Sequence, residues 1–467
     1  MARLSLWDAV SLIVGVVIGA GLYETAPIVL SSVSGPGAAL LVWLLGGVLS
    51  LIGACCYAEL ASTYPRSGGD YVYLRRAFGP LVGFLFGWSQ LAVILTGSIG
   101  MMAYVFADYL SVFGVRSDAS RTAFAALAVV VLTLLNVWSV GASKWTQNLL
   151  TWVKVAGLSA VAVIGFAWAL GTEASTVIEP AVPRETSLGL ALILVLYTYG
   201  GWNDAAFVAA EVRRRRDIAR ALLIGTALIA LIYLLVNAAF LAALGFDAAR
   251  SSRAIAADVL RRPFGETGAA LISVLVMISA LGAVNALTLT GARVHSGLGA
   301  DFSALAILGR WSRRYRSPAA ALLAQGGVTL LLIGLVGTAT GRQAVDGVLV
   351  AAGAAPAVWS GHGGFDTLLR CTAPVFWSFF LLTGISMLVL RHKDRDRPRP
   401  FRAPFHPLFP LIFSGTCLYM LVSAVDYAGH LTLVGVFLVL VGLPIYFVSK
   451  QRTQSTLVRS EVASAAE

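Results

Sequence analysis

Apolar residues run through this chain in long stretches, and the polar positions fall between them. A helix needs about 20 apolar residues to cross a ~30 Å hydrocarbon core. About twelve stretches reach that length. The first six are 8–30, 37–62, 79–113, 122–140, 147–171 and 187–210. The others are 219–245, 265–295, 318–338, 372–390, 407–427 and 429–449. The third is long enough for a tilted helix or a short extension. The segments 246–265 and 339–371 mix Gly, Ala and charge, and have room for short interfacial helices. The expected fold class is an all-α membrane protein with about twelve transmembrane helices. The first stretch begins at Leu6 with almost no basic lead and carries polar residues, so it reads as a span and not a cleavable signal.

Composition agrees with the pattern. The chain has 467 residues, 58% of them hydrophobic and only 12% charged. Soluble domains carry roughly 45–50% apolar and about 25% charged residues, and disordered chains are polar. The net charge is +11, from 34 basic and 23 acidic residues. With the N-terminus inside, 24 basic residues fall on the cytoplasmic side, nine outside, and Lys154 within a span. That asymmetry predicts both termini in the cytoplasm and a multi-pass protein of the plasma (inner) membrane. The basic residues lie at helix ends and form no domain, so nucleic acid is not an expected partner. The arginine run at 213–216 reads as a topology anchor on anionic lipid. The four cysteines sit in or near spans and read as small hydrophobes. No Cys/His spacing suits a metal, and no nucleotide-binding or zinc-protease motif occurs, so neither metal nor cofactor is expected.

Two spans carry glycines at mid-depth. The first reads Gly15-Val16-Val17-Ile18-Gly19-Ala20-Gly21-Leu22-Tyr23, and the sixth Tyr197-Thr198-Tyr199-Gly200-Gly201-Trp202-Asn203-Asp204. Irregular backbone at that depth must be buried in protein or line a cavity. Close packing by small residues is the plainer explanation of one such cluster. Two clusters at matching positions of two five-helix halves point to a transporter with inverted repeats. The halves are 1–171 and 172–390, followed by helices 11 and 12 in 391–450 and a cytoplasmic tail at 451–467. An unwound helix exposes N–H groups for a carboxylate and carbonyls for an ammonium. A free α-amino acid presents both.

At these residues the chain resembles the amino acid–polyamine–organocation superfamily of amino acid permeases, especially bacterial relatives of L-type amino acid transporters. Ile18-Gly19-Ala20-Gly21-Leu22-Tyr23 is similar to the family's I-G-[SA]-G-I-F. Tyr57-Ala58-Glu59-Leu60, then Pro65-Arg66-Ser67-Gly68-Gly69-Asp70-Tyr71-Val72-Tyr73, resemble its Y-A-E-L…P-x-[SA]-G-G-[ED]-Y-x-Y. Tyr199-Gly200-Gly201-Trp202-Asn203 and Arg397-Pro398-Arg399-Pro400-Phe401-Arg402 follow in the same order. The resemblance implies the fold of sodium-coupled leucine transporters, with helices 1 and 6 broken and alternating access. It implies that the backbone of Val17, Ile18, Ala20 and Gly21 receives a substrate carboxylate. It implies that Tyr197, Thr198 and Gly200 offer carbonyls to the α-ammonium, with Tyr197 as outer gate. Asn203 lines the side-chain pocket or braces the break, and Trp202 packs. There are departures. Relatives carry two prolines after the sixth break where this chain reads Arg213-Arg214-Arg215-Arg216-Asp217, so the helix is expected to run on. The segment 114–121 lacks the cysteine that heteromeric members use for a heavy chain, so no obligatory heavy-chain subunit is expected.

Lys154 lies inside the fifth span, where a lysine costs about 2.5–3.5 kcal/mol on insertion scales, so its default reading is functional. Snorkelling to the near end is the alternative. The resemblance implies that its ammonium stands where relatives bind sodium, beside the carbonyl of Gly15 and the hydroxyl of Ser279. Lys154 then either exchanges a proton or serves as a fixed internal cation. Glu24 is a possible second charge site: it binds a cationic substrate or a proton, or faces outer water. Glu59 reads as a structural partner for nearby arginines or backbone, and Asp204 as a cap or gate.

The expectation is a sodium-independent transporter of L-amino acids, working by proton symport or amino acid exchange. Protons and the lipid bilayer are its other partners. A small polar or neutral substrate is favoured, because Ala20, Thr198, Gly200 and Ala283 leave room without a fixed charge. The alternatives are an amino acid sensor or receptor without transport, a carrier of polyamines or other amines, and a membrane enzyme. The enzyme is disfavoured, because His295, His362, His392, His406 and His430 are scattered over loops and span ends.

Overall fold

A computed structural model describes residues 5–19, 21–66, 68–115, 117–138, 143–171, 187–204, 206, 212–252, 254–312, 317–359 and 363–449, the side chains of 143–150 excepted. Local sequence sets the helix starts. Ser5 caps α1 (Leu6–Val17) in a reciprocal box with Asp8: the Asp8 N–H donates to Ser5 Oγ at 3.2 Å, and the Ser5 N–H to Asp8 Oδ2 at 3.0 Å. After the break comes α2 (Gly21–Ser31). Pro36 opens α3 (Pro36–Thr63), where a missing N–H costs nothing. Short α4 (Asp70–Phe78) is followed by α5 (Pro80–Ser89), which is again opened by proline. A π-turn at Gln90–Ile94 joins α5 to α6 (Leu95–Tyr109). Then come α7 (Asp118–Trp138), α8 (Ser143–Gly171) and α9 (Leu188–Tyr199). Next are α10 (Arg215–Leu244), α11 (Phe246–Ser251) and α12 (Ile255–Asp301). The last six are α13 (Ala319–Gly337), α14 (Ala339–Ala351), α15 (Gly364–Lys393), α16 (Leu408–Ala428), α17 (Leu431–Leu440) and α18 (Gly442–Val448).

The architecture is all-α. Among the described residues, ten helical segments are long and apolar enough to cross a membrane, and α1 with α2, bent by 53°, makes an eleventh. The expected twelfth, 187–210, begins as α9, which has only 12 helical residues before Gly200. Residues 205 and 207–211 lie outside the described residues. The expected run-on of this helix is corrected in part: 212–214 are not helical, and α10 starts at Arg215. The segments read as loops with interfacial helices hold α11 and α14. α12 bends at Gly265, whose φ is +60°.

Packing follows membrane rules. Small residues let helices touch: a methyl on Gly97 would stand 2.2 Å from Thr372 Cγ2, bringing α6 against α15. Large apolar side chains on α7 (Leu127, Val131, Leu134, Leu135) and on α16–α18 point outward, as lipid permits. At one end of the bundle a charge cluster ties α3, α4 and α15 together. The buried Glu59 carboxylate accepts from Arg391 Nε at 2.7 Å and from the Ala403 N–H at 2.7 Å, with Arg399 Nε 3.4 Å away. Asp394 accepts from Arg76 Nη2 at 2.7 Å and from Tyr64 Oη at 2.6 Å. Arg75 pairs with Asp301, fixing α4 to α12.

Candidate functional site

The two helix breaks meet. α1 ends at Val17, and the Ile18 N–H donates to the Val14 carbonyl at 2.8 Å. α9 ends when the Gly200 N–H turns back to the Tyr197 carbonyl at 2.9 Å. Gly201 follows with φ +105°, a left-handed conformation that favours glycine, and a methyl there would lie 3.0 Å from Val16 Cγ1. The absence of side chains at 200–201 therefore brings the α9 break against the α1 break. Tyr233 on α10 joins them: its hydroxyl donates to the Val17 carbonyl at 2.8 Å and lies 3.4 Å from the Thr198 carbonyl. A second tie is the contact of the Thr25 and Thr198 hydroxyls at 2.8 Å.

Between the breaks lies a cavity of about 120 Å³. Of the residues singled out in the sequence, Val17, Gly21, Tyr197, Thr198, Gly200 and Asn203 line it, as does Ala283. Ala20 lies outside the described residues. Ile18 is a correction: it is buried away from the lining, and its N–H is spent on Val14 because α1 stays helical to Val17. Val17, the last helical residue, offers a carbonyl already taken by Tyr233. The N-terminal turn of α2 begins at Gly21 in the cavity lining, and the end of a helix with free N–H groups attracts an anion. Facing it, the C-terminal end of α9 presents carbonyls, which favour a cation.

Other wall residues carried no sequence signal of their own. Gly19 belongs to the first glycine cluster, but Gln90, Ile94, Ser98, Met102, Thr372 and Phe376 come from helices that pass the site unbroken in pattern. Gln90 opens the π-turn, where the extra residue per turn leaves the helix ladder irregular beside the cavity. Asp204 also lines the cavity. An ionisable carboxyl thus sits in the wall beside the residues expected to leave room without a fixed charge, with Asn203 Nδ2 donating to it at 3.2 Å. Asn203 Oδ1 is buried without a partner among the described residues. Trp202 packs edge-on to Tyr57 at 5.0 Å, away from the main cavity. Tyr197 stands in the wall with its hydroxyl donating to Met101 Sδ at 3.1 Å and its ring edge-on to Phe365.

Lys154 is 3% exposed, and its Nζ donates to the Gly15 carbonyl at 3.2 Å. Ser279 is buried on α12, but no hydrogen bond joins it to Lys154 among the described residues. Glu24 is half-buried in the first turn of α2, outside the cavity lining, with Asp108 and Arg121 as its charged neighbours.

The sequence profile of the amino acid permease family matches residues 4–457. The chain belongs to the amino acid permease family. The human cystine/glutamate transporter is 27% identical over 453 residues, covering 95% of this chain and 84% of that protein. The mouse b(0,+)-type amino acid transporter 1 is 26% identical over 458 residues, covering 95% and 87%. The human large neutral amino acids transporter small subunit 2 is 27% identical over 457 residues, covering 95% and 80%. These relatives are named transporters of amino acids, and this permease is, like them, a multi-pass membrane protein.

Proposed function

We propose that this permease moves L-amino acids by alternating access, without sodium, by proton symport or by exchange. The observation that carries it is the cavity between the start of α2 and the end of α9, which offers opposite dipole ends to the two charges of an amino acid. In this reading the carboxylate takes backbone N–H groups from the first glycine cluster, Gly21 among them, and the α-ammonium takes carbonyls of Tyr197 to Gly200. Tyr197 closes over the substrate. Lys154 supplies a fixed positive charge near the α1 break, in the role that a sodium ion would otherwise fill.

The chain works as two inverted five-helix repeats, 1–171 and 172–390, with 391–450 packed outside them and 451–467 as a tail. It sits in the plasma (inner) membrane with both termini in the cytoplasm, which the basic-residue bias supports. It acts as a carrier and not as an enzyme. It needs no heavy chain, since 114–121 holds no cysteine. Asp204 in the cavity wall favours a second reading, in which the substrate is an amine or an amino acid with a basic side chain.

Counterflow into proteoliposomes tests both readings. Twenty L-amino acids, putrescine and spermidine compete against a labelled L-amino acid mixture, with and without sodium and a proton gradient. Competition by neutral L-amino acids, unaffected by sodium, is expected. Competition by polyamines alone would favour the amine reading. Stimulation by sodium would refute the role given to Lys154, and binding without any exchange would refute transport.

A further inference from the structure

Below the cavity lies a second polar group that the transport reading leaves unused. His295 on α12 is fully buried, and both ring nitrogens lack a partner within hydrogen-bond geometry among the described residues. The ring faces the Gln90 backbone and the Gln325 side chain. Gln325, also fully buried, donates through Nε2 to the Leu287 carbonyl at 3.4 Å, while its Oε1 has no partner. Gln90 and Leu287 both line the cavity. His295 is two turns along α12 from Leu287, about 12 Å. Three elements thus lead from the cavity wall to one imidazole: the π-turn, α12 and α13.

An ionisable side chain inside a membrane bundle is expensive unless it is used. A neutral imidazole has one donor and one acceptor, and here both are idle. No charge faces it. α5, the π-turn and α13 contain no charged residue. On α6 and α7, Asp108, Asp118 and Arg121 sit at the far ends from Gln90 and Val137, and the charges of α15 sit in its end turns. On α12 itself Arg293 is exposed and Asp301 is paired with Arg75. On α10 Asp217 lies 3.8 Å from Arg220 in the first turns, and on α8 Lys154 bonds to Gly15. Among the described residues a protonated ring has no counter-charge in this conformation, and only hydration would stabilise it.

We propose that His295 is a proton-accepting site of the transport cycle, reached from the substrate cavity through Gln90 and Gln325, and that its protonation opposes the conformation seen here. The proton comes from water, forms an N–H bond at the unpartnered ring nitrogen, and returns to water when the ring is buried again. No other bond changes. Acid therefore holds back the return to this conformation and slows exchange. The inference rests on the transport reading above.

Counterflow of a ¹⁴C-labelled L-amino acid mixture, with equal pH on both sides of the membrane, tests it. The wild-type rate is expected to fall at least about threefold from about pH 8 to about pH 5.5, the range in which histidine titrates. In His295→Gln the ratio between the two rates should approach one. Gln325→Leu, which keeps the imidazole, should retain the dependence with a displaced midpoint. A wild-type ratio of one, or a His295→Gln ratio equal to that of wild type, overturns the proposal. Histidine NMR on ¹⁵N-His-labelled protein needs no transport: the signal that His295→Gln removes must titrate in this range. Absent exchange with a titrating signal condemns the transport reading alone. A ring that stays neutral throughout condemns the proton site. His295→Asn replaces His295→Gln in both assays if the latter does not fold.

Discussion

Lys154 Nζ donates to the carbonyl of Gly15 at 3.2 Å, one turn before the α1 break. α1 ends at Val17, so the carbonyls of its last turn have lost their helical N–H partners and gather negative partial charge. Lys154 caps that end from α8. Replacing it by Ala removes the cation and strands a buried carbonyl, and a charge-assisted hydrogen bond contributes about 1.5–3 kcal/mol. Counterflow by Lys154→Ala is therefore expected to drop about 10- to 100-fold. Wild-type rates in that variant would remove Lys154 from the cycle.

Tyr233 holds both breaks with one hydroxyl, at 2.8 Å from the Val17 carbonyl and 3.4 Å from the Thr198 carbonyl. Tyr233→Phe keeps the ring, which packs against Trp43 and Tyr199. The fold should survive while the two ends lose their common registration. Apparent affinity for L-amino acids is expected to weaken about 5- to 10-fold, since one hydrogen bond contributes about 1 kcal/mol. Thermal midpoint and half-saturation in counterflow, measured on the same preparation, check this. An equal loss of stability with unchanged affinity would contradict it.

Gly201 combines a positive φ with contact to α1, so any side chain there meets two obstacles. Gly201→Ala puts a methyl in a left-handed conformation and 3.0 Å from Val16 Cγ1. Strain of about 1–2 kcal/mol is expected, together with displacement of the α9 break from the cavity. Counterflow should fall at least about tenfold. Gly415→Ala, on α16 and outside the cavity lining, is the control at a site where a Cβ meets nothing within 4 Å. Equal effects of the two substitutions would show that the clash does not matter.

Much of this was legible in the sequence, and the reasons are physical. Membrane spans announce themselves by length, so 37–62 was expected and α3 was found at Pro36–Thr63. The breaks were legible because glycine clusters are costly in mid-membrane, and Gly19, Gly21, Gly200 and Gly201 all line one cavity. Glu59 was expected beside arginines and lies against Arg391 and Arg399. The side walls were not legible. Ser98, Thr372 and Gln90 sit in helices with an ordinary apolar pattern, and only their rotation toward the breaks makes them lining residues. Asp204 was visible in the sequence, but its direction depends on how the backbone turns after Gly201. Ile18 belongs to the motif, yet its N–H closes the last turn of α1 on Val14, which a residue pattern does not show.

Asp394 gives the clamp at the basic end of the bundle a pH dependence. Its carboxylate lies in the loop after α15 and accepts from Arg76 and Tyr64. The Arg76 hydrogen bond holds its carboxyl down to about 2, against the opposing effect of burial. An unfolded aspartate titrates at about 3.9. The folded value is the lower one, so the stabilisation is fully present above about pH 4 and is lost as pH falls toward about 2. Asp394→Asn removes the charge at every pH. Its thermal midpoint should lie below wild type at neutral pH, and the gap should narrow steadily below about pH 4 as wild type loses the same charge. Thermal scans of both proteins in detergent across that range check the sign. A gap that stays constant from neutral to acid would mean that Asp394 contributes through shape and not through its charge.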